Sequence, residues 1–567
     1  MTATPIQLYD ATLRDGMQGE GMSLSADEKL RVVHKLDELG VDLIEAGMVA
    51  SNPKERELFA SLSREALGHA EIAAFGMTRR RDVGADDDPA LRVLADCFAP
   101  VCTLVGKTWT LHLDKVVKVD RDENLRMIAE SVGFLVAQGK RVIYDAEHFF
   151  DGWRAERDYA LRCLRAAAEA GAETVVLCDT NGSTLPAQVS VAVADARDAL
   201  SGAAMVGIHC HNDAECGVAN TLAAVEAGAT QVQGTMNGCG ERTGNANLVS
   251  IIANLQLKMG RTCLTDEQMA RLTEAAHFVD ELLNRSPNPN QPYVGKNAFA
   301  HKGGMHVAGV RADPSTFEHV DPAVVGNTRE MLVSELSGKV TMQERAADLG
   351  VALDDDAASR VVERVKQLEH AGYQFEAADG SFDLLLRRET GDYEPLFRLE
   401  SWRVMVEQRA DGKVETEATI KIWTPPPDSE RYVRTAEGNG PVHALDRALR
   451  SAIGDIHPHL RDIDLVNFKV RILDESKGTG AITRVLIDAS DGGDVWGSIG
   501  VSENLIAASW DALVDSLEYG MQPPRSAGGA GSAGGAGSAG GAGSAGGAGS
   551  AGSGESRSSP ESRKSRA

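Results

Sequence analysis

The sequence predicts an α/β protein built on a (β/α)₈ (TIM) barrel, and two observations carry that prediction. Eight short apolar β-type runs begin near Ile6, Val41, Glu71, Pro100, Arg141, Thr174, Ala204 and Thr230, with helix-like sequence between them. The runs also end in polar residues, among them Asp15, Glu45, Glu147, Thr180, His209 and His211. A closed parallel barrel delivers the C-terminal ends of all its strands to one face, so chemistry gathers there from residues far apart in sequence.

A chain of 567 residues exceeds what one hydrophobic core normally serves, so further domains are expected. The barrel is assigned to residues 1–275, closing with the eighth run from Thr230 to Met236 and a helix from Asn245 to about Met259. A helical stretch from Thr265 to about Leu283 follows. The segment Ser286-Pro287-Asn288-Pro289-Asn290-Gln291-Pro292-Tyr293 then interrupts regular structure through its prolines. Residues 276–398 are expected to form a helical linker subdomain, with Val361, Val362, Val365 and Leu368 at helical spacing. Over 399–522 the pattern changes to alternating strands, such as Trp402 to Glu407 and Lys469 to Leu473. Two helices, Val442 to Ile453 and Ser502 to Leu517, punctuate them, which predicts an α+β domain of two similar halves. Residues 523–567, with Ser-Ala-Gly-Gly-Ala-Gly repeats, cannot bury enough surface to offset backbone entropy and are expected to be disordered.

The formal charge of −25 argues against a nucleic-acid partner, because phosphate contacts need clustered positive charge. An anionic substrate must then be received by a local cationic site. No apolar run is long enough to span a bilayer, which needs about 18 residues, and Met1-Thr2-Ala3-Thr4-Pro5 opens no secretion signal. A cytoplasmic protein without membrane contact is expected, and the scattered cysteines (8 in all) suit reduced thiols.

His209 and His211 lie two apart at a strand end, so both imidazoles point to one face, as two ligands of one metal require. Strands one and eight are neighbours in a closed barrel, so Asp15 and Asn245 can converge on the same ion. Two imidazoles, a carboxylate and an amide oxygen suit Mg²⁺, Mn²⁺, Zn²⁺ or Co²⁺ without choosing between them. Arg14 should project into the same mouth, where a guanidinium holds a developing oxyanion, and Glu45 should orient it through a bidentate pair. Thr180 is placed to bind a substrate carboxylate and Glu147 to accept a proton.

These motifs, Leu13-Arg14-Asp15-Gly16, Ile44-Glu45, His209-Cys210-His211-Asn212-Asp213 and Gly238-Cys239-Gly240-Glu241-Arg242-Thr243-Gly244-Asn245, resemble those of the Claisen-condensing branch of the metal-dependent lyase-type barrels. That branch holds the isopropylmalate, citramalate and homocitrate synthases. Ala300-His301-Lys302-Gly303-Gly304-Met305-His306 and Ala436-Glu437-Gly438-Asn439-Gly440-Pro441-Val442 resemble its linker and regulatory domain, so the likeness runs from about residue 4 to 520. Gly106-Lys107-Thr108-Trp109 and Tyr144-Asp145-Ala146-Glu147-His148 are most similar to the citramalate synthase group. Two departures qualify the match: Met48-Val49-Ala50 replaces a glycine and Trp-Pro turn, and Phe317 stands where relatives commonly have tyrosine.

The resemblance implies condensation of acetyl-CoA with a 2-oxo acid, pyruvate first and 3-methyl-2-oxobutanoate as the alternative. It implies a divalent metal on Asp15, His209, His211 and Asn245, with Arg14, Glu45 and Thr180 on the substrate. Either Glu147 or His306 would be the base. It further implies a homodimer and feedback by isoleucine or leucine. A lyase running C–C cleavage, and a non-catalytic binding protein that kept the fold, stand as the other readings.

Overall fold

In the computed structural model, residues 5–332, 338–348, 351–425, 429–454 and 456–521 are described. The expected disordered segment 523–567 lies outside them. The strands β1 (Gln7–Asp10), β2 (Leu43–Gly47), β3 (Glu71–Met77), β4 (Val101–Lys107), β5 (Arg141–Glu147), β6 (Thr174–Asp179), β7 (Met205–Cys210) and β8 (Gln231–Gly234) form a closed barrel in sequence order. All neighbours are parallel, and β8 returns to β1 in the register Gln7↔Gln231 to Asp10↔Gly234. Strands covered on both faces need apolar residues on both, which is why these runs are continuous rather than alternating. Tyr9, Leu43, Ala73, Val101, Ile143 and Val176 fill the barrel interior. The Tyr9 hydroxyl, fully buried there, is satisfied by the Thr103 hydroxyl at 2.7 Å.

The helices wrap this core. The first, Ala26–Leu39, starts in a reciprocal Ser25–Glu28 capping box and turns Val32, Val33, Leu36 and Leu39 inward. The helix expected from Asn245 begins only at Leu248, since Asn245 bridges to His211, Asn247 to Thr235, and the Asn247 side chain caps the helix. The stretch expected from Thr265 to Leu283 is two helices, Asp266–Met269 and Leu272–Leu282. Thr265 caps the first of them in a box with Gln268.

Beyond the barrel, helices Lys339–Asp348, Asp355–His370 and Asp379–Thr390 bury Met342, Val361, Val365, Phe382 and Leu386. Ile499 from the C-terminal region joins that core. The C-terminal region has two halves of one plan. Strands Arg398–Gln408, Val414–Trp423 and Arg431–Gly438 precede helix Pro441–Ile453. Strands Asp464–Ile472, Thr483–Ser490 and Val495–Ser502 precede helix Leu505–Gly520. Both sheets are antiparallel, and Ile420, Ile422, Val485 and Ile487 pack with Leu445, Leu449, Leu513 and Leu517 of the two helices. Gly500 sits where a Cβ would lie 1.9 Å from the carbonyl oxygen of Ala508, so the sheet and the last helix meet backbone to backbone. Among the described residues no helix is long and apolar enough to cross a membrane.

Candidate active site

The mouth is organised by the turn after β1. The amides of Arg14, Asp15 and Gly16 all donate to the carbonyl of Ala11, at 3.2, 2.9 and 3.0 Å. That knot turns two successive charged side chains into the barrel mouth. Its base is fixed by Asp10, which accepts from the Thr12 amide at 2.9 Å and hydroxyl at 2.7 Å, while Thr12 Oγ1 accepts from the amide of Met236 in the β8 turn. Burial pushes the Asp10 carboxyl up to about 7.

Asp15 Oδ2 lies 3.2 Å from His209 Nε2 and 3.9 Å from His211 Nε2. Burial alone would raise the Asp15 carboxyl, but Arg14 and both imidazoles hold it well below the ordinary carboxylate range. Burial likewise opposes charge on His209, yet the Asp15 hydrogen bond and charge outweigh it and raise that imidazole. Burial, then the neighbouring His209, push His211 down to about 4.

His209 is oriented from behind: its Nδ1 faces Gln233 Oε1 at 3.0 Å, and Gln233 Nε2 donates to Asp145 Oδ1 at 3.2 Å. Asn245 is held by Nδ2 donating to the Cys239 carbonyl at 3.1 Å, and its Oδ1 is buried with no hydrogen-bond partner. Gly240, at φ +154°, permits this closure, because a Cβ there would sit 2.3 Å from Asn245 Nδ2.

The ligand atoms of Asp15, His209 and His211 all lie within 4.8 Å of one another. A buried carboxylate, two imidazoles and an orphaned amide oxygen form a donor set that fits a divalent cation. An uncompensated buried polar atom costs about 1–3 kcal/mol, so Asn245 Oδ1 is explained more readily as a ligand than as packing.

Arg14 is clamped rather than free. Its Nε donates to Glu45 Oε2 at 2.7 Å, its Nη1 lies 3.4 Å from Asp15 Oδ2, and the guanidinium carbon stands 3.9 Å from the Phe75 ring centroid. The expected bidentate Arg14–Glu45 pair is thus a single hydrogen bond, because the other edge of the fork is turned to Asp15. Burial keeps Glu45 above its ordinary value against the pull of Arg14.

A cavity of about 280 Å³ is lined by Arg14, Asp15, Glu147, Thr180, His209 and His211. Glu147, at the end of β5, is ion-paired with Lys107 at the end of β4. Thr180 Oγ1 accepts from the amide of His148 at 2.9 Å, which leaves the hydroxyl proton to donate outward. Its carbonyl accepts from Arg242 at 2.8 Å, and Arg242 is itself locked on Asp213.

Glu45 and Asn245 support this group from behind. His306 is not among the residues that line the cavity; it is exposed on helix Gly304–Ala312, stacked on Phe317 with ring centroids 4.2 Å apart. Reading the sequence missed Gln233 and gave Lys107 and Asp145, which stand in the quoted strand ends, no role of their own. A glutamine inside an apolar strand, and a second acid two residues before Glu147, were the available signals.

The fold and site define an HMGL-like barrel enzyme carrying a LeuA allosteric (dimerisation) domain. The HMGL-like family model matches residues 5–279, a homocitrate synthase post-HMGL domain-like model matches 293–372, and the LeuA model matches 376–521. An (R)-citramalate synthase of Streptomyces coelicolor is 48% identical, over 92% of this chain and 98% of that one. Those of Geobacter sulfurreducens (46%, over 91% and 97%) and Aquifex aeolicus (44%, over 93% and 99%) are similar throughout as well. A probable 2-isopropylmalate synthase of Methanopyrus kandleri is 33% identical, over 90% of this chain and 97% of that one. The chain belongs to the (R)-citramalate synthase family.

Proposed function

We propose that this chain condenses acetyl-CoA with pyruvate to give (R)-citramalate and CoA. The observation that carries the reading is the convergence of Arg14, Asp15, His209 and His211 in one buried mouth with Glu147 and Thr180 across the same cavity. Asp15, His209, His211 and Asn245 would hold a divalent cation, which would supply Lewis acidity to the bound oxo acid. Arg14 donates to the keto oxygen as it gains charge, already oriented by Glu45 and Phe75. Thr180 donates a hydrogen bond through its hydroxyl to the substrate carboxylate. Glu147, ion-paired with Lys107, takes the methyl proton of acetyl-CoA. The new C–C bond joins that carbon to C2 of pyruvate, and water then cleaves the thioester and releases CoA. His306, exposed on its helix outside the cavity lining, stands as the other candidate base.

The biological setting we assign is branched-chain amino-acid synthesis toward isoleucine, in the cytoplasm, where the free thiols of all 8 cysteines suit a reducing compartment. A homodimer through the C-terminal region, with isoleucine or leucine as effector, completes the reading. The metal is one of Mn²⁺, Mg²⁺, Zn²⁺ or Co²⁺. The test is free-thiol release from acetyl-CoA across a panel of 2-oxo acids. Pyruvate should give the highest kcat/KM, and a preference for 3-methyl-2-oxobutanoate would move the chain to isopropylmalate synthesis with the same residue roles.

A further inference from the structure

Glu147 does not end its strand alone. The next residue, His148, is buried, and at φ +54° and ψ +34° its backbone is left-handed, a conformation that few non-glycine residues hold. Its amide is tied to Thr180 Oγ1, and its Nδ1 faces Asp151 Oδ2 at 3.1 Å in helix Phe149–Glu169. Asp151 is itself fixed, accepting from Arg154 at 2.8 Å and from Asn181 at 2.9 Å. From the other side come Trp109 and His112 of the turn after β4. The His112 ring centroid lies 4.3 Å from that of His148, and Trp109 stacks on His112 at 5.4 Å. Gly152 permits this approach, because a Cβ there would sit 2.6 Å from the Thr108 carbonyl oxygen. One carboxylate oxygen of Glu147 and one ring nitrogen of each histidine lie within 4.8 Å of one another, and His112 Nδ1 is buried with no hydrogen-bond partner among the described residues.

Lys107, His112, Glu147, Asp151 and Arg154 are the titratable and charged groups around His148. The Lys107 ammonium is paired with Glu147, so a second cation would compete for the same carboxylate, and an ammonium has no lone pair with which to take a proton. Burial, then His148 and Lys107, lower the His112 imidazole and keep it neutral. Burial works against charge on Asp151, but His148 and Arg154 outweigh it and hold that carboxyl below its ordinary value. An ionised carboxylate only accepts, so His148 Nδ1 is the donor and Nε2 keeps the free lone pair.

We propose that His148, backed by Asp151, carries away from the mouth the surplus proton that Glu147 collects. The proposal rests on the condensation being the reaction. There the methyl proton of acetyl-CoA is balanced by the alkoxide, which becomes a hydroxyl. Water then splits the thioester into an ionised carboxylate and the CoA thiol, so one of its two protons has no place in the products and must leave at every turnover. Glu147 passes that proton to His148 Nε2 and returns to the carboxylate, Asp151 stabilises the imidazolium, and solvent takes the proton from it. A separation of up to 4.8 Å is one that a single bridging water spans. His148 acts through Glu147 rather than on the substrate, as a positioning residue.

His148→Asn tests this with least damage, because asparagine tolerates the left-handed backbone and keeps the amide on Thr180 while the imidazole is lost. On the full chain, kcat for CoA release should fall by about two orders of magnitude near neutral pH, with KM for pyruvate little changed. Added imidazole should restore turnover in proportion to its concentration, and the loss should shrink as pH rises and hydroxide takes the proton directly. Asp151→Asn, which leaves the ring in place without its acceptor, should show a smaller loss with the same response to imidazole. Deuterium on the methyl of acetyl-CoA separates a relay from a displaced base: in His148→Asn the substrate isotope effect should drop below that of the parent while the solvent isotope effect rises. Near-parent turnover, a substrate isotope effect that grows, or a loss that neither imidazole nor pH relieves overturns the proposal and leaves His148 a purely structural support of Glu147. A parent chain with two bound metal ions, of which His148→Asn loses one, gives the cluster to a cation instead. A parent chain that releases no CoA from acetyl-CoA and pyruvate removes the reaction itself, which an inactive variant of an active parent does not.

Discussion

At the level of single residues, the mouth works because each charged group is held by a neighbour that also limits what it can do. Arg14 and the imidazoles hold the Asp15 carboxyl well below its ordinary range, in the charged form that a cation ligand needs. His209→Ala should therefore lower bound metal, read by elemental analysis, and abolish CoA release while the melting profile stays cooperative. Full turnover in chelator would remove the metal from the mechanism. Arg14 is a different case, because its charge is not its only asset. With Nε on Glu45 and Nη1 turned to Asp15, the planar fork fixes where the remaining N–H groups point. Arg14→Lys keeps charge and loses the fork, so kcat should fall by about two orders of magnitude with little change in KM for pyruvate. A near-normal kcat would return Arg14 to a structural ion pair.

At the level of elements, the strands were legible because both-face burial writes a continuous apolar run, and the candidate site residues were legible because they cap those runs. Strand order places Asn245 near the candidate metal ligands, yet the helix expected from it begins only at Leu248, since nothing local shows that Asn245 pairs with His211 after the neighbouring strand. Gln233 and Asp145 were missed for a related reason: their roles are to orient His209, and orientation is a tertiary property. The last helix carries the same lesson. Asp511, near Asp515 and Arg388 in a cavity of about 420 Å³, reads in sequence as an ordinary solvated acid. Burial and then Asp515 push it up to about 6, above its ordinary 3.8. A carboxyl raised on folding favours the native state at low pH, and that contribution is lost as pH rises through about 6. Arg364, Tyr373, Arg388, Glu389 and Asp515 are the titratable groups lining the cavity with it. Asp511→Asn should raise Tm relative to the parent at pH 7.5, with the difference shrinking toward pH 4, measured by calorimetry. Equal differences at both pH values would mean that the charge on Asp511 is not the cause. Gly500→Ala tests the same helix from the sheet side: a Cβ forced against the Ala508 carbonyl should cost about 1–3 kcal/mol in denaturant unfolding of the C-terminal region.

For the whole molecule, the question is why a barrel with its own core carries a second region at all, and the surface of that region supplies the argument. In the second sheet, Phe468 pairs with Ile487 and Val470 with Val485, so these residues share the face that helix Leu505–Gly520 packs against. Yet Phe468, Val470 and Ile472 remain 45–52% exposed along the edge strand, all on one side by the two-residue period. An apolar row continuing a packed core out into solvent is an invitation to association, worth roughly 1.5–3 kcal/mol for each such side chain fully covered. A second copy of the chain, joined about a twofold axis, would cover both rows at once, as a self-complementary interface requires. Phe468→Asp/Val470→Asp should then convert the dimer to a monomer in light scattering. The barrel holds the whole catalytic cavity, so CoA release per subunit should survive within a few-fold, while inhibition by isoleucine or leucine should disappear with the interface. By reciprocity, any effector that lowers pyruvate affinity in the parent dimer must bind less tightly when pyruvate is present, and the monomer should show neither effect. A double variant that stays dimeric would place the interface elsewhere. One that becomes monomeric but is still inhibited would detach the effector from dimerisation and put its site inside a single chain.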